Sequence, residues 1–299
     1  MSSLAALTAA LAFTLASQDP TAQPPQDPEI GTEVAPIVVE GRVEERVNAF
    51  IDEVAAAPPG RRLARWDRSI CVGAANMRAS FAQALIDHVS RVALETGLDI
   101  GEPGCSADVL IVASDEASTL AAELIDDNPL GFRPARGATD LGSEALETFQ
   151  TTDAPVRWWH VSLPVSVDTG EVAIRLAGEP DTPTLRVRDA SRLRSNIRED
   201  LARVIIILDI PKLQGVSLRA LGDYVSMVAL AQIDPAGDVS GYDSVLNLFA
   251  GGTADGMTSW DRDYLTSLYA ARRDRARVSQ QQRDIAEGML DPDNGDEGE

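Results

Sequence analysis

The side chains of this sequence that could do chemistry are few, and none of them stand at the spacing of a known catalytic motif. The chain has only two histidines, His88 and His160. It has no G-x-S-x-G nucleophile elbow, no G-x-x-x-x-G-K phosphate loop, no G-x-G-x-x-G fingerprint and no EF-hand loop. A serine nucleophile working with His160 would have to be assembled by the fold, because such triads are defined by geometry and not by sequence order.

The best binding candidates are Trp158, Trp159 and His160, which lie in the apolar run PVRWWHVSLPV. Side chains of a strand alternate between its two faces, so one tryptophan should point inward and the other outward. Pro164 predicts an edge strand, because proline lacks the N–H that an inner strand needs. Aromatic residues commonly anchor peptides that bind along such an edge. The alternative is a structural role, with one tryptophan in the core and the other shielding it.

Two further candidates lie in the apolar stretch from Leu201 to Ile233. Asp209 ends a strand, where its carboxylate could act as a general base or accept backbone N–H bonds. Tyr224 lies on a buried helix, where it could bind a ligand hydroxyl or carboxylate. The alternative for Tyr224 is a core tyrosine whose hydroxyl is satisfied.

These candidates must be positioned by strands and helices that alternate along the chain. Apolar residues at helical spacing predict the helices, and continuous β-branched runs predict buried strands. We expect an α+β fold with a mixed β-sheet and packed helices. The predicted elements are a β run at residues 35–40, a helix at 43–57, a strand at 65–75, a helix at 81–96, a strand at 108–114, a helix at 116–125, a hairpin at 154–176, a helix at 191–203, a strand at 204–208, a buried helix capped by Ser217 and a last helix capped by Thr258.

Cys71 and Cys105, the two cysteines, fall near neighbouring strand ends. In an oxidising compartment an even number of cysteines favours a disulfide. This one would close a loop of about 34 residues and stabilise the fold by roughly 3–4 kcal/mol in the chain-entropy model. The alternative is a pair of buried thiols.

The chain is acidic, with a formal net charge of -21 and a pI of about 4.4. An acidic protein gains no counterion release from phosphates, so we expect no nucleic-acid partner. An anionic membrane surface is also disfavoured, because its negative charge repels an acidic protein. Apart from the N-terminal run, no stretch approaches the roughly 18 apolar residues of a membrane helix, so we do not expect an integral membrane protein.

The N-terminal sequence MSSLAALTAALAFTLASQ predicts a signal peptide over residues 1–17, cleaved near Ala16. Residues 18–34 are expected to be a disordered linker, and residues 35–276 a single domain. Residues 277–299 are predicted to be a polar helix end and an acidic disordered tail. The protein would then be periplasmic or secreted; the alternative is a cytosolic protein with an apolar N-terminus.

The order of these elements resembles the layout of metzincin zinc proteases, and more closely a set of exported bacterial proteins of unknown function that look like degenerate metzincins. The likeness extends from Arg65 to about Arg275. It is carried by the order of several segments. They are RWDRSI at residues 65–70, DVLIVAS at 108–114, VRWWH at 156–160, the unit at 204–233, YDSVLNLF at 242–249 and TSWDRDYLTSLY at 258–269.

In a metzincin the buried helix would hold H-E-x-x-H, with two zinc-binding histidines and a glutamate as general base. One register places Tyr224, Val225 and Val228 at these positions, and the other places Asp223, Tyr224 and Met227 there. Neither supplies a ligand pair, so the resemblance implies a scaffold without the metal and without its reaction. We therefore expect no cofactor or metal.

The sequence is most consistent with a non-catalytic exported protein that binds a protein or peptide partner or serves as a structural module. The binding candidates are Trp158, Trp159, His160, Tyr224 and Asp209. The alternative is a metal-independent hydrolase with a site near His160, Asp209 and Tyr224.

Overall fold

A computed structural model describes residues 36–291, apart from residues 136, 138, 186, 189–191 and 253. The predicted signal peptide, the linker and the end of the acidic tail lie outside these residues. The elements are α1 (Pro36–Val54), β1 (Ser69–Ile70), β2 (Val72–Ala75), α2 (Ala79–Glu95), β3 (Asp99–Ile100), β4 (Val109–Ser114), α3 (Ala117–Asp127), α4 (Pro129–Phe132), α5 (Ser143–Thr151), β5 (Val156–Ser166), β6 (Ile197–Asp209), α6 (Leu218–Leu230), α7 (Ser259–Ala270) and α8 (Val278–Leu290), with short 3₁₀ turns at Ile210–Leu213 and Val245–Asn247.

Within the described residues the main sheet has four strands in the order β2-β4-β6-β5. β2, β4 and β6 are parallel, and β5 runs antiparallel to β6 at one edge. The sheet is therefore mixed and covered by helices, which confirms the predicted α+β class. β6 can occupy an inner position because residues 204–208 are apolar and buried on both faces.

Two hydrophobic cores lie on opposite faces of this sheet. The larger core contains α2 and α6 with Val204, Ile206 and Leu208, and the smaller contains α3 and α5 with Ile205 and Ile207. In α6 every residue from 220 to 230 is buried, as its nearly uninterrupted apolar sequence predicts. The Ser217 hydroxyl caps this helix by accepting the Ala220 N–H at 3.1 Å.

Three sequence predictions are wrong. The helix predicted for residues 191–203 is largely strand, because β6 already begins at Ile197. The predicted hairpin at 154–176 is limited to an isolated bridge between Val165 and Val172, since β5 instead pairs along its whole length with β6. The β run predicted at 35–40 is the first turn of α1.

The predicted disulfide joins Cys71 and Cys105, whose Cα atoms are 6.1 Å apart. Cys71 lies between β1 and β2, and Cys105 lies in the connection from β3 to β4. Gly101 packs against the bridge so closely that a Cβ atom there would lie 2.7 Å from the Cys105 Sγ. The bridge therefore joins the connection before β4 to the outer edge of the sheet.

The C-terminal helices close the larger core. Thr258 and Asp261 form the predicted capping box at the start of α7. Ile285 of α8 is fully buried, and the Gln281 side chain bonds the main chain of Leu63 through both its oxygen (2.9 Å) and its nitrogen (3.0 Å). Thus α8 belongs to the same packed unit as the rest, beyond the domain end predicted at residue 276.

Candidate binding site at the edge of the sheet

A cavity of about 150 Å³ lies beside β5, and we call it the edge cavity. Four of the five residues singled out from the sequence line it, namely Trp158, Trp159, His160 and Tyr224. A cavity of this volume has room for one apolar ring or aliphatic side chain. The full lining is Leu141, Ala145, Thr148, Phe149, Thr152, Ala154, Pro155, Val156, Arg157, Trp158, Trp159, His160, Tyr224, Pro235 and Phe249.

The main chain of β5 presents unpaired groups to this cavity. Residues of an antiparallel ladder alternate between pairs that exchange hydrogen bonds and pairs that do not. The Asp209 N–H donates to the Pro155 carbonyl at 2.9 Å, so odd-numbered residues from 155 to 161 bond to β6. The N–H and C=O groups of Val156, Trp158 and His160 therefore point away from the sheet, and they meet no other hydrogen-bonding group in the part of the chain that the structure describes.

The second half of the same edge is already covered. The Ser162 N–H donates to the Thr139 carbonyl at 2.8 Å. The Pro164 carbonyl accepts the Ala173 N–H at 2.8 Å, and the Ser166 N–H donates to the main-chain carbonyl of Glu171 at the same distance. The unpaired part of the edge is therefore limited to residues 156–160, which are buried and border the cavity.

The two tryptophans lie on opposite faces of the sheet, as strand alternation predicts. Trp158 belongs to the larger core and Trp159 to the smaller one, and both are buried. Their indole N–H groups donate to the carbonyls of Ile233 and Phe132 respectively, each at 2.9 Å. Neither indole is the exposed anchor of the sequence-based hypothesis. Their rings form cavity walls, and the main chain between them forms the edge.

His160 is a neutral imidazole held by the buried helix. Its Nε2–H donates to the Val228 carbonyl at 2.7 Å. Burial lowers the pKa of His160 to about 4, because the charged ring would lose its hydration. With Nε2 occupied, this nitrogen cannot serve as a general base for a substrate.

Tyr224 is the polar group of α6 that reaches the cavity. Its ring packs edge-on against Phe249, with centroids 5.0 Å apart, and against Trp158 at 6.1 Å. Its hydroxyl makes no hydrogen bond with any described residue, and burial raises the pKa of Tyr224 well above its usual range. A protonated phenol that borders a cavity can donate to, or accept from, a bound ligand.

The outer wall of the cavity comes from α5, a segment to which the sequence analysis assigned no element. The buried Phe149 holds α5 against Trp159, with ring centroids 6.0 Å apart. The Arg157 guanidinium then caps its C-terminus by donating to the carbonyls of Phe149 (3.2 Å), Gln150 (2.8 Å) and Thr152 (2.6 Å). A signal for this helix was the pair Leu146 and Phe149 at i, i+3, but the segment is too short to be recognised by periodicity alone.

Asp209 does not belong to this site. It lies at the end of β6, where its Oδ2 is 3.0 Å from the Lys212 ammonium, and it does not line the cavity. The hypothesis that Asp209, His160 and Tyr224 share one site is therefore not supported by their positions. The lysine neutralises the carboxylate at the strand end, which is a structural role.

His88 lies on the same side of the sheet as α6 but is bound elsewhere. Its Nε2 is 2.6 Å from the Asp223 Oδ1, and the other oxygen of Asp223 accepts the Met257 N–H at 3.0 Å. In the described residues, no three His, Cys, Asp or Glu side chains come together as a metal site would require. Of the positions aligned with the zinc motif, Val225, Met227 and Val228 are fully buried core residues.

A larger opening, of about 1030 Å³, lies at the C-terminal ends of the parallel strands. Ligands of α/β sheets often bind at such a position. None of the sequence candidates line it. Its walls are Asn76, Met77, Arg78, Ser80, Phe81, Ala113, Ile210, Leu213, Gln214, Val216, Leu218 and Leu221.

Comparison of the chain with protein-family models, curated proteins and solved structures finds no match. The resemblance to degenerate metzincins therefore stays a prediction. In the described part of the chain, no helix combines the length and the apolar character needed to span a bilayer.

Proposed function

We propose that this protein is an exported, non-catalytic binding module that holds an extended peptide segment of a partner along the unpaired edge of β5. One observation carries the proposal: the outward N–H and C=O groups of Val156, Trp158 and His160 are unpaired and border a cavity. An unpaired strand edge is a template for adding a strand from another chain. Pairing with these groups would satisfy the main chain of the peptide independently of its sequence.

The cavity would supply the specificity. Its walls include Trp158, Trp159, Phe149 and Phe249, so it favours one apolar side chain of the bound segment. The Tyr224 hydroxyl is placed to bond a polar group beside that side chain. Rigid aromatic walls lose little conformational entropy on binding, which favours affinity.

The contacts of the other candidates favour binding over hydrolysis. His160 Nε2 is committed to the Val228 carbonyl, and Asp209 is paired with Lys212. A hydrolase would need a nucleophile within hydrogen-bond reach of an available base. The disulfide between Cys71 and Cys105 favours an oxidising compartment, so we place the protein in the periplasm or outside the cell.

Two matched threonines of α5 test the role of the cavity. Thr148 lines the cavity and is exposed, whereas Thr151 is exposed but does not line it. Both hydroxyls donate to the carbonyl four residues earlier, at 3.1 Å and 2.9 Å, so both substitutions remove the same intrahelical bond. Peptides selected from a display library on the wild-type protein should bind Thr148→Trp at least about tenfold more weakly, because the indole fills the cavity mouth.

Thr151→Trp is the control and should bind the selected peptides like the wild type. Affinities are measured by fluorescence anisotropy, and thermal unfolding of both variants verifies that α5 is intact. Equal affinities for the two variants would contradict the assignment of the cavity.

A further inference from the structure

A second recess lies on the α3 side of the sheet, away from the edge cavity. It consists of two adjoining cavities of about 330 Å³ and 230 Å³ that share Asn128 and Arg203, and we call it the Arg203 groove. Its floor is formed by β4, β5 and β6, and its wall by the C-terminal end of α3 together with α4. The lining residues are Ala107, Leu110, Leu124, Asn128, Leu130, Gly131, Phe132, Pro134, Val161, Leu163, Ala202, Arg203 and Ile205.

Two hydrogen-bond donors converge where the cavities meet. A Cβ atom on Gly131 would lie 2.8 Å from Arg203 Nη1 and 2.4 Å from Asn128 Nδ2, so the two nitrogens are no more than about 5 Å apart. The Asn128 Oδ1 accepts the Gly131 N–H at 3.0 Å, which leaves its NH₂ group as the free half of the amide. Glycine at position 131 thus lets both donor side chains lie against the main chain, where a Cβ atom would clash with each of them.

The charge of Arg203 is uncompensated in this groove. Its guanidinium forms no ion pair and no side-chain hydrogen bond with the residues that the structure describes, and none of the described lining residues is acidic. The chain as a whole has 47 acidic residues against 26 basic ones. Arg203 is exposed, and a cation beside apolar walls that has no carboxylate partner among the described residues is electrostatically complementary to an anionic ligand.

The remainder of the groove is apolar. Leu110 and Leu163 contribute to its floor, Leu124 to its wall, and Leu130 is 52% exposed at the rim. Ligand sites typically combine such apolar walls with a few convergent polar groups. The forked donors of arginine match the two oxygens of a carboxylate.

We propose that the Arg203 groove binds a small amphiphilic carboxylate, with its carboxylate on Arg203 and Asn128 and its hydrocarbon part along the leucines. This site is separate from the β5 edge and does not depend on the peptide-binding proposal. The ligand would need both parts, since Arg203 is exposed to water and the apolar walls alone give no orientation.

Isothermal titration calorimetry with octanoate tests the proposal. Octanoate should bind with measurable affinity, and acetate and octan-1-ol should bind at least about tenfold more weakly because each lacks one half of the ligand. Absence of octanoate binding, or equal binding of octan-1-ol, would overturn the proposal.

Variants place the binding in the groove. Arg203→Gln should weaken octanoate binding at least about tenfold, and Arg203→Lys less, because lysine keeps the charge but not the fork. Leu130→Glu, an exposed substitution that leaves the core intact, should also weaken binding by placing a negative charge at the rim. Arg283→Gln, at an exposed arginine of α8, is the matched control and should bind like the wild type.

NMR should show a change in the chemical shift of the Gly131 amide when octanoate is added. Octanoate binding without this change, or binding that Arg203→Gln leaves unaltered, would refute the site.

Discussion

The double substitution Cys71→Ala with Cys105→Ala should lower the free energy of unfolding by about 3–4 kcal/mol. The bridge closes a loop with a sequence separation of 34, so its loss frees many conformations of the unfolded chain. It also frees the connection to β4, where Gly101 packs against the sulfurs. Alanine avoids burying a new polar group at position 71, where the side chain is buried.

Urea unfolding, with and without a reducing agent, measures this effect. Reductant should destabilise the wild-type protein by a similar amount and leave the double variant unchanged. A loss below about 1 kcal/mol would mean that the cross-link does not limit the unfolded chain as the entropy model assumes.

Lowering the pH from about 7 to about 4 should remove roughly 3 kcal/mol of stability through His160 alone. The unfolded chain takes up this proton as the pH falls through about 6.5, whereas the folded protein does so only near 4. Between these values the unfolded state binds more protons, so the free energy of unfolding falls with the pH. The physical cause is burial of the ring against α6.

Comparison with His160→Gln isolates this contribution, because glutamine can keep the bond to the Val228 carbonyl but cannot titrate. The comparison is needed because burial raises the pKa of Glu199 and of Asp261. As the pH falls, the folded protein takes up these two protons before the unfolded chain does, so they increase the free energy of unfolding while His160 decreases it. Urea midpoints of the variant should vary less between these pH values than those of the wild type. The control His88→Gln should retain the loss due to His160. Identical pH profiles for wild type and His160→Gln would show that the ring is not buried in its neutral form.

The unit from β6 to α6 could be predicted from the sequence because burial on all sides dictates its composition. Residues 204–208 and 220–230 are almost entirely apolar, and the polar Ser217 stands where the helix needs a cap. The cysteine pairing was predictable for another reason, since only two cysteines exist and one pairing is open to them.

The first half of β6 could not be predicted, because its polar residues are satisfied by distant parts of the chain. Glu199 is buried with its Oε1 at 3.5 Å from Arg61 and 3.7 Å from Arg62. Asp200 pairs with Arg198 at 3.0 Å and also with Arg273. A run of alternating charges usually indicates an exposed helix, and only the folded chain shows which partners replace water.

The candidate residues were predictable singly, but their grouping was not. Trp158 and His160 come from β5, Tyr224 from α6 and Phe249 from a late connection. Their convergence follows from the antiparallel pairing of β5 with β6, which the sequence reading replaced by a local hairpin. The same pairing sets Asp209 opposite Pro155, but the Asp209 side chain pairs with Lys212 and does not line the cavity.

The most direct test of the edge-binding claim is amide hydrogen exchange, measured by NMR on the free protein and on its complex with a selected peptide. In the free protein the amides of Trp158 and His160 should exchange faster than those of Trp159 and Val161, which bond to β6. Peptide binding should slow exchange at Trp158 and His160. A peptide that binds without protecting these two amides, or free-protein amides that are already protected, would contradict the proposed function.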